Sequence, residues 1–253
     1  MTTIEEHRRA LCEATDDDGS GNWLNTLVRH GWRVVPHCPA LEFEIKYAPG
    51  EGAADVGELG RYARLLRSAQ LPPDMFVPEW LAWRESVAEY WLVDGVEWSL
   101  QRFKGRRRLK RKVHEVFHAD GCGPLIQSQE SFIEDPDRVA EVLDGLATSV
   151  GALHRTMAKG YLVRLDPVIV FNLSETRCRL GDAEQIQVEL EYSCHMLRGS
   201  DDPARAAGSE PGDVREALWA AERVLAPTLR EAGLVPTTEK KLDFVRAAMR
   251  GRR

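Results

Sequence analysis

Two carboxylates and an ammonium group occupy every second position of residues 41–47, as Glu42, Glu44 and Lys46. In a β-strand they share one face, because successive side chains point to opposite sides. Two carboxylates at this spacing can share a divalent cation, and the lysine beside them can hold an anion that the cation also binds. The segment therefore predicts a metal–phosphate site. The alternative is an ordinary charged strand face in contact with water.

Residues 184–192 repeat this design far along the chain. Glu189 and Glu191 end a polar face, and the opposite face is apolar throughout. A basic segment lies between the two carboxylate strands, and as a strand it places on one face Arg108, Lys110, Lys112 and His114. Together these faces predict a closed polar cavity, in which the carboxylates bind Mg²⁺ or Mn²⁺ and the cations neutralise a polyphosphate.

Short alternating segments joined by turns predict an antiparallel sheet. Asp94-Gly95 is a hairpin signal between strands 87–93 and 96–103, and further strands are predicted at 124–132, 161–165, 168–174 and 176–181. Helical patterns cover residues 3–14, 22–29, 55–68, 135–157, 212–232 and 238–249. This is an α+β arrangement. About eight strands are enough to close a barrel, here with a polar interior and an apolar outer face under the helices.

The composition indicates a soluble globular protein. The 253 residues are 43% hydrophobic and carry a formal net charge of −6, which argues against a general nucleic-acid coat protein but not against a local cationic cavity. No apolar run predicts a signal peptide or a membrane span, and the five cysteines show no CxxC spacing. We expect a cytoplasmic protein with reduced thiols and no membrane partner.

The same residues resemble a known family. Residues 42–46, Glu-Phe-Glu-Ile-Lys, are similar to the ExExK signature of the CYTH superfamily, the triphosphate tunnel metalloenzymes. Residues 188–192 resemble that family's late ExE strand, and residues 233–242 resemble its C-terminal segment, where a lysine near the start of the last helix enters the tunnel. The resemblance extends over roughly residues 40–250. It implies an eight-stranded antiparallel tunnel, a divalent metal and a triphosphate substrate.

The resemblance also implies a role for individual residues. The metal-linked carboxylates would be Glu42, Glu44, Glu130, Glu189 and Glu191. The phosphate-facing cations would be Lys46, Arg102, Lys110, Lys112, Arg164 and Lys241, with Lys240 as the alternative to Lys241. Glu42, Glu44 and Lys46 would form the catalytic centre.

Four departures from the family pattern would make this chain a divergent member of the family that it resembles. Residues 1–39, predicted to be a helical extension, precede the tunnel domain at 40–253, and the segment 49–86 is long. The strand around Arg102 has one arginine where the family has two, and the strand around Glu130 lacks its arginine.

The implied activity is metal-dependent hydrolysis of inorganic triphosphate, thiamine triphosphate or a nucleoside triphosphate. One alternative is an adenylate cyclase of class IV type that forms cyclic AMP, and another is a weakly catalytic module that binds a nucleotide or polyphosphate. The 5′-triphosphate end of an RNA is a less favoured partner, and a homodimer is compatible with the family.

His114-Glu115-Val116-Phe117-His118 also matches the HExxH zinc motif. That motif requires a helix, so that both histidines share one face and the glutamate can activate water. Pro124 occupies the position of a third ligand, and the turn-forming residues 120–124 follow at once. We therefore interpret the match as coincidental.

Overall fold

The computed structural model describes residues 4–12, 23–35, 40–50, 59–79, 81–146, 148–198 and 210–251. The helices are α1 (Ile4–Cys12), α2 (Trp23–Arg29), α3 (Arg61–Arg67), α4 (Pro136–Gly145), α5 (Pro211–Glu231) and α6 (Lys241–Arg250). The strands are β1 (Trp32–Val35), β2 (Leu41–Pro49), β3 (Met75–Phe76), β4 (Ala82–Val93), β5 (Val96–Phe103), β6 (Arg106–Phe117), β7 (Leu125–Ile133), β8 (Gly151–Leu165), β9 (Val168–Leu180), β10 (Ala183–Arg198) and β11 (Leu234–Thr237).

Eight of these strands close an antiparallel barrel in the order β10-β9-β8-β4-β5-β6-β7-β2. Closure comes from the pairing of β2 with β10, which sets Lys46 opposite Glu189 and Glu44 opposite Glu191. The two carboxylate strands predicted from the sequence are therefore neighbours. The remaining strands extend the sheet, since β1 pairs with β10, β3 with β8 and β11 with β2.

The barrel is polar inside and apolar outside, as the alternation predicts. Glu42, Glu44 and Lys46 of β2 line the lumen. Phe43 and Ile45, on the other face of the same strand, are completely buried in a cluster with residues of α3 and α5. The α+β barrel with helices on its outside is confirmed.

Polar residues line only the middle of the lumen. On the three longest strands Lys159, Ser174 and Glu189 form one cross-strand row, and polar side chains continue in the adjoining rows. The outermost rows, such as Val163 with Val170, are apolar. At one end the inward residues of β8–β10 pack against the N-terminal segment, in a cluster that includes Leu11, Trp23, Leu27, Trp32, Val163, Val170 and Cys194. At the other end they pack against α6, in a cluster that includes Leu153, Cys178, Leu242 and Val245.

Two tight turns shape the β4–β5 and β5–β6 hairpins. The central residues have positive φ in both, 51° and 77° at Asp94-Gly95 and 46° and 75° at Lys104-Gly105. Such turns match the right-handed twist of the flanking strands, and glycine adopts the second position without steric cost. The Asp94-Gly95 hairpin predicted from the sequence is confirmed.

The helix predicted for residues 135–157 is wrong in its second half. α4 ends at Gly145, and residues from Gly151 onward form β8. The apolar residues at 150 and 153 fit a helical stripe, but Leu153 is on a strand, where it pairs with Ala88 of β4 and is buried in the cluster with α6. Tertiary pairing therefore overrides the local periodicity. The helix predicted for 55–68 is observed over 61–67, and residues 51–58 lie outside the described part.

No disulfide joins the described cysteines Cys122, Cys178 and Cys194 to one another, and the reduced state of the thiols stays a prediction. Cys38 lies outside the described residues. Within the described chain, no helix combines the length and apolar character needed to cross a membrane.

Candidate functional site

The barrel lumen contains a cavity of about 1060 Å³. Among the described residues, twelve Arg and Lys side chains and six glutamates line it, so its charge is opposite in sign to the net charge of −6 of the whole chain. A low-dielectric cavity with an excess of one charge concentrates counter-ions, and this cavity, with its excess of cations, therefore attracts anions.

A first group of charges, the Glu42 cluster, consists of Glu42, Glu130, Lys110 and Lys112. Lys112 contacts the carboxylate of Glu42 and lies 2.6 Å from that of Glu130. Lys110 contacts Glu130 and lies 3.8 Å from Glu42. Burial raises the pKa of Glu42, but Lys112 and Lys110 outweigh it and hold that pKa well below its usual range. Burial and the hydrogen bond with Glu42 raise the pKa of Glu130 to about 7.

A second group, the Glu189 cluster, consists of Glu44, Lys46, Glu189 and Lys241. Lys46 Nζ lies 3.1 Å from Glu44 Oε1 and 3.5 Å from Glu189 Oε1, and Lys241 Nζ lies 2.5 Å from the same Glu189 oxygen. Burial raises the pKa of Glu189, but Lys241 and Lys46 together lower it to about 2. Glu189 is therefore ionised at every physiological pH, and it holds two ammonium groups toward the lumen.

Glu191 differs from these paired carboxylates. Burial and repulsion from Glu42 raise its pKa to about 8, although Lys159 opposes the shift. Within the described part of the chain, no Arg or Lys nitrogen lies within ion-pair distance of Glu191. A buried carboxylate in this situation is stabilised in its charged form by a bound cation.

A third group connects β5, β6 and β7. His114 Nδ1 lies 2.8 Å from Ser128 Oγ, and His114 Nε2 lies 3.3 Å from Glu97 Oε2. Burial raises the pKa of Glu97, but the hydrogen bond from His114 and the nearby Lys112 and Lys46 together outweigh burial and lower that pKa. Because β6 is a strand, His114 and Glu115 point to opposite faces, so the HExxH match is not a zinc site.

The structure places most of the predicted site residues together. The cavity is lined by Glu42, Glu44, Lys46, Lys110, Lys112, Glu189, Glu191 and Lys241, and Glu130 joins it through its two lysines. Lys240 also lines the cavity, but Lys241 is the lysine that binds Glu189.

Arg102 and Arg164 do not reach the cavity, which corrects the prediction for both. Arg102 alternates with the cavity-lining Gln101 and Phe103, so it points outward and lies 3.4 Å from Glu89. Arg164 is on the face of β8 opposite Met157 and Lys159, which line the cavity. Successive side chains of a strand point to opposite faces, so both arginines, which alternate with cavity-lining residues, point away from the cavity.

Several residues that the sequence pattern does not predict also line the cavity. Arg155 lines the cavity and donates to Ser86 Oγ at 3.2 Å. It was hidden by the helix predicted there, although the alternation of Arg155, Met157 and Lys159 is a strand signal. Asn172 also lines the cavity, and its buried Oδ1 accepts no hydrogen bond. Its neighbours in the sequence are uncharged, so no charge pattern indicates a site there.

The oxygen atoms of the lumen carboxylates are of the type that binds a divalent cation. Mg²⁺ and Mn²⁺ prefer carboxylate oxygens, and Glu42, Glu44 and Glu191 face one lumen with a mutual repulsion that a cation would relieve. Among the described side chains, no three potential ligands converge closely enough to form a ready-made coordination group. Most of the carboxylates are engaged by lysines instead.

No protein-family model and no curated protein matches this sequence. Solved structures similar to this chain include HpAC1 from Hippeastrum, which is described as having a dominant triphosphatase activity. HpAC1 is 14% identical, with a TM-score of 0.43, and the match covers 82% of this chain and 96% of that one. A conserved hypothetical protein from Pyrococcus furiosus is 14% identical with a TM-score of 0.43, over 80% of this chain and 99% of that one. The RNA triphosphatase Pct1 of S. pombe, in complex with the Spt5 CTD, is 11% identical with a TM-score of 0.41, over 78% of this chain and 87% of that one.

Proposed function

We propose that this protein hydrolyses a triphosphate inside the barrel with the help of Mg²⁺ or Mn²⁺. The observation that carries the proposal is the pairing of carboxylates with lysines around one lumen, in the Glu42 and Glu189 clusters. These lysines would exchange their carboxylate partners for phosphate oxygens. The carboxylates that the lysines release would then be available to a cation. One exchange of partners would therefore form both the phosphate-binding and the cation-binding part of the site.

Each group has a distinct part in this proposal. Lys46, Lys110, Lys112 and Lys241 bind phosphate oxygens and neutralise the charge that develops as the P–O bond breaks. Glu42, Glu44 and Glu191 would hold the cation. Glu130 and Glu189 would lie beside it as further carboxylates of the metal site. When bound, the cation supplies further charge neutralisation on the phosphate oxygens. A carboxylate of the same centre orients the attacking water and accepts its proton.

Hydrolysis is favoured over cyclisation because it requires only these groups. A cyclase would also have to hold the ribose 3′-hydroxyl in line with the α-phosphate, and no residue of the lumen is assigned to that task. A module that binds without turnover is the third possibility, since Arg102 and Arg164 are both absent from the lumen.

A substrate panel tests the proposal. Purified protein is incubated with tripolyphosphate, ATP and thiamine triphosphate, with Mg²⁺, with Mn²⁺ or with EDTA, and phosphate, pyrophosphate and cyclic AMP are quantified. We expect metal-dependent release of phosphate from at least one substrate. Release of pyrophosphate together with cyclic AMP would show a cyclase instead, and tight binding without any product would show a binding module.

A further inference from the structure

An aromatic ring lies exposed at the rim of the cavity. Phe132 is 46% exposed, although a phenylalanine normally withdraws from water. It pairs across the sheet with Lys110, which lines the cavity, so both side chains are on the inner side of the barrel. The next residue, Ile133, packs on the outer side with α4. Phe132 is therefore not part of the outer apolar face.

Two cations of the cavity wall contact this ring. The guanidinium carbon of Arg108 is 4.9 Å from the ring centroid, and Lys110 Nζ is 5.5 Å from it. Glu134 holds the guanidinium of Arg108 in place through contacts at 2.6 Å and 2.8 Å. Arg108 therefore lies over one face of the exposed ring, and this pair, Phe132 and Arg108, is here called the rim shelf.

The rim shelf adjoins the proposed phosphate site directly. Lys110 contacts the Phe132 ring and also belongs to the Glu42 cluster, so one lysine connects the two. Beyond the shelf, the β5–β6 turn adds the exposed cations Lys104, Arg106 and Arg107 to the cavity lining. A site for inorganic triphosphate alone would need cations but no exposed aromatic surface beside them.

We propose that the rim shelf binds the base of a nucleoside 5′-triphosphate, either free or at the 5′ end of an RNA. Bases stack on aromatic rings and on guanidinium planes, and this stacking is tolerant of base identity. The triphosphate enters the lumen and contacts Lys110, and the base covers the exposed ring. In an RNA, the following phosphates meet Lys104, Arg106 and Arg107. This inference rests on the proposed triphosphate site and names the class of substrate that it takes.

Binding measurements on Phe132 variants test the inference independently of turnover. Titration calorimetry in Mg²⁺ compares ATP with tripolyphosphate for the wild type and for Phe132→Ala, Phe132→Leu and Phe132→Trp. We expect Ala and Leu to weaken ATP binding about 10-fold, because both remove the stacking plane. Trp should preserve ATP binding, and tripolyphosphate binding should be unchanged in all three. Trp83→Ala is the matched control, since Trp83 is 54% exposed on the opposite face of the barrel wall and should affect neither ligand.

The outcomes separate this inference from the proposed function. If tripolyphosphate is hydrolysed but ATP binding does not depend on Phe132, base binding at the rim shelf is overturned and the proposed hydrolysis is supported. Ring-dependent ATP binding with no hydrolysis of any triphosphate would overturn the hydrolase and leave the shelf standing. Absence of binding to either ligand would overturn both. Tighter binding of a 5′-triphosphorylated RNA oligonucleotide than of ATP would assign the RNA end as the source, and equal binding would assign the free nucleotide.

Discussion

At the scale of single residues, the lumen is built from carboxylates and ammonium groups that satisfy one another. Glu189 illustrates how this works, since it is buried but lies within reach of both Lys46 and Lys241. Moving such charges out of water is costly unless they are paired, and removing one partner of a buried pair leaves the other uncompensated. The residues that would bind the substrate therefore also determine whether the barrel is stable without it.

The pKa of Glu189 gives a prediction about stability and pH. Its folded value of about 2 lies below the ordinary value of 4.5, so its stabilising contribution is fully present above pH 4.5 and is lost as the pH falls toward 2. Glu189→Gln should lower the free energy of unfolding at pH 7 by on the order of 3 kcal/mol and flatten its decline between pH 4.5 and 3. Urea unfolding at several pH values measures both effects.

Glu184→Gln is the matched control for this prediction. Glu184 lies on the same strand as Glu189, but it is exposed and pairs with arginines at the surface. Exposed ion pairs contribute about 0–1 kcal/mol, so the control should barely change the unfolding curve. Equal effects of the two substitutions would show that the lumen pairs are no stronger than surface pairs.

At the scale of elements, the long strands change character along their length. β8, β9 and β10 are polar in the middle of the lumen and apolar at both ends, and α6 and the N-terminal segment cover those ends. The N-terminal segment packs on the lumen-facing side of the strands and adds β1 to the sheet. We therefore expect it to stabilise the barrel, whereas the boundary predicted between residues 39 and 40 stays a prediction.

Substitutions in α2 test that expectation. Leu27 is fully buried, and its neighbour Val28 is 48% exposed on the same helix. Leu27→Ala should lower the free energy of unfolding by about 2–5 kcal/mol, because it removes buried methyl groups and leaves a cavity. Val28→Ala should change it by less than about 0.5 kcal/mol. A single cooperative transition in both variants, with equal stability, would show that α2 does not contribute to the barrel.

The sequence predicts the centre of the lumen better than its edges. Glu42, Glu44, Lys46, Glu189 and Glu191 stand in strict alternation with apolar residues, so their common face follows from the strand period. The covering of the lumen by α6 and α2 could not be predicted, because an amphipathic helix does not reveal which side of a sheet it packs on. The family resemblance predicts that Arg102 faces the lumen. Arg102 alternates with Gln101 and Phe103, which line the cavity, so its side chain points outward.

At the scale of the whole molecule, the distribution of charge separates the cavity from the rest of the surface. The chain carries a net charge of −6, yet the cavity lining has twice as many Arg and Lys residues as glutamates within the described residues. An anionic substrate is thus repelled by most of the protein and attracted to the barrel. The long-range part of this attraction is screened by salt, since the Debye length is about 8 Å at physiological ionic strength.

The most direct test of the central claim is the rate of phosphate release from tripolyphosphate with Mg²⁺, compared between the wild type, Glu42→Ala and Glu115→Ala. Glu42 belongs to the lumen cluster with Lys110 and Lys112, whereas Glu115 is exposed on the outer side of the barrel. We predict that Glu42→Ala lowers the rate by about 100-fold or more while circular dichroism shows a folded protein, and that Glu115→Ala leaves the rate unchanged. A folded Glu42→Ala variant with the wild-type rate would contradict the account, because hydrolysis would then take place outside the lumen.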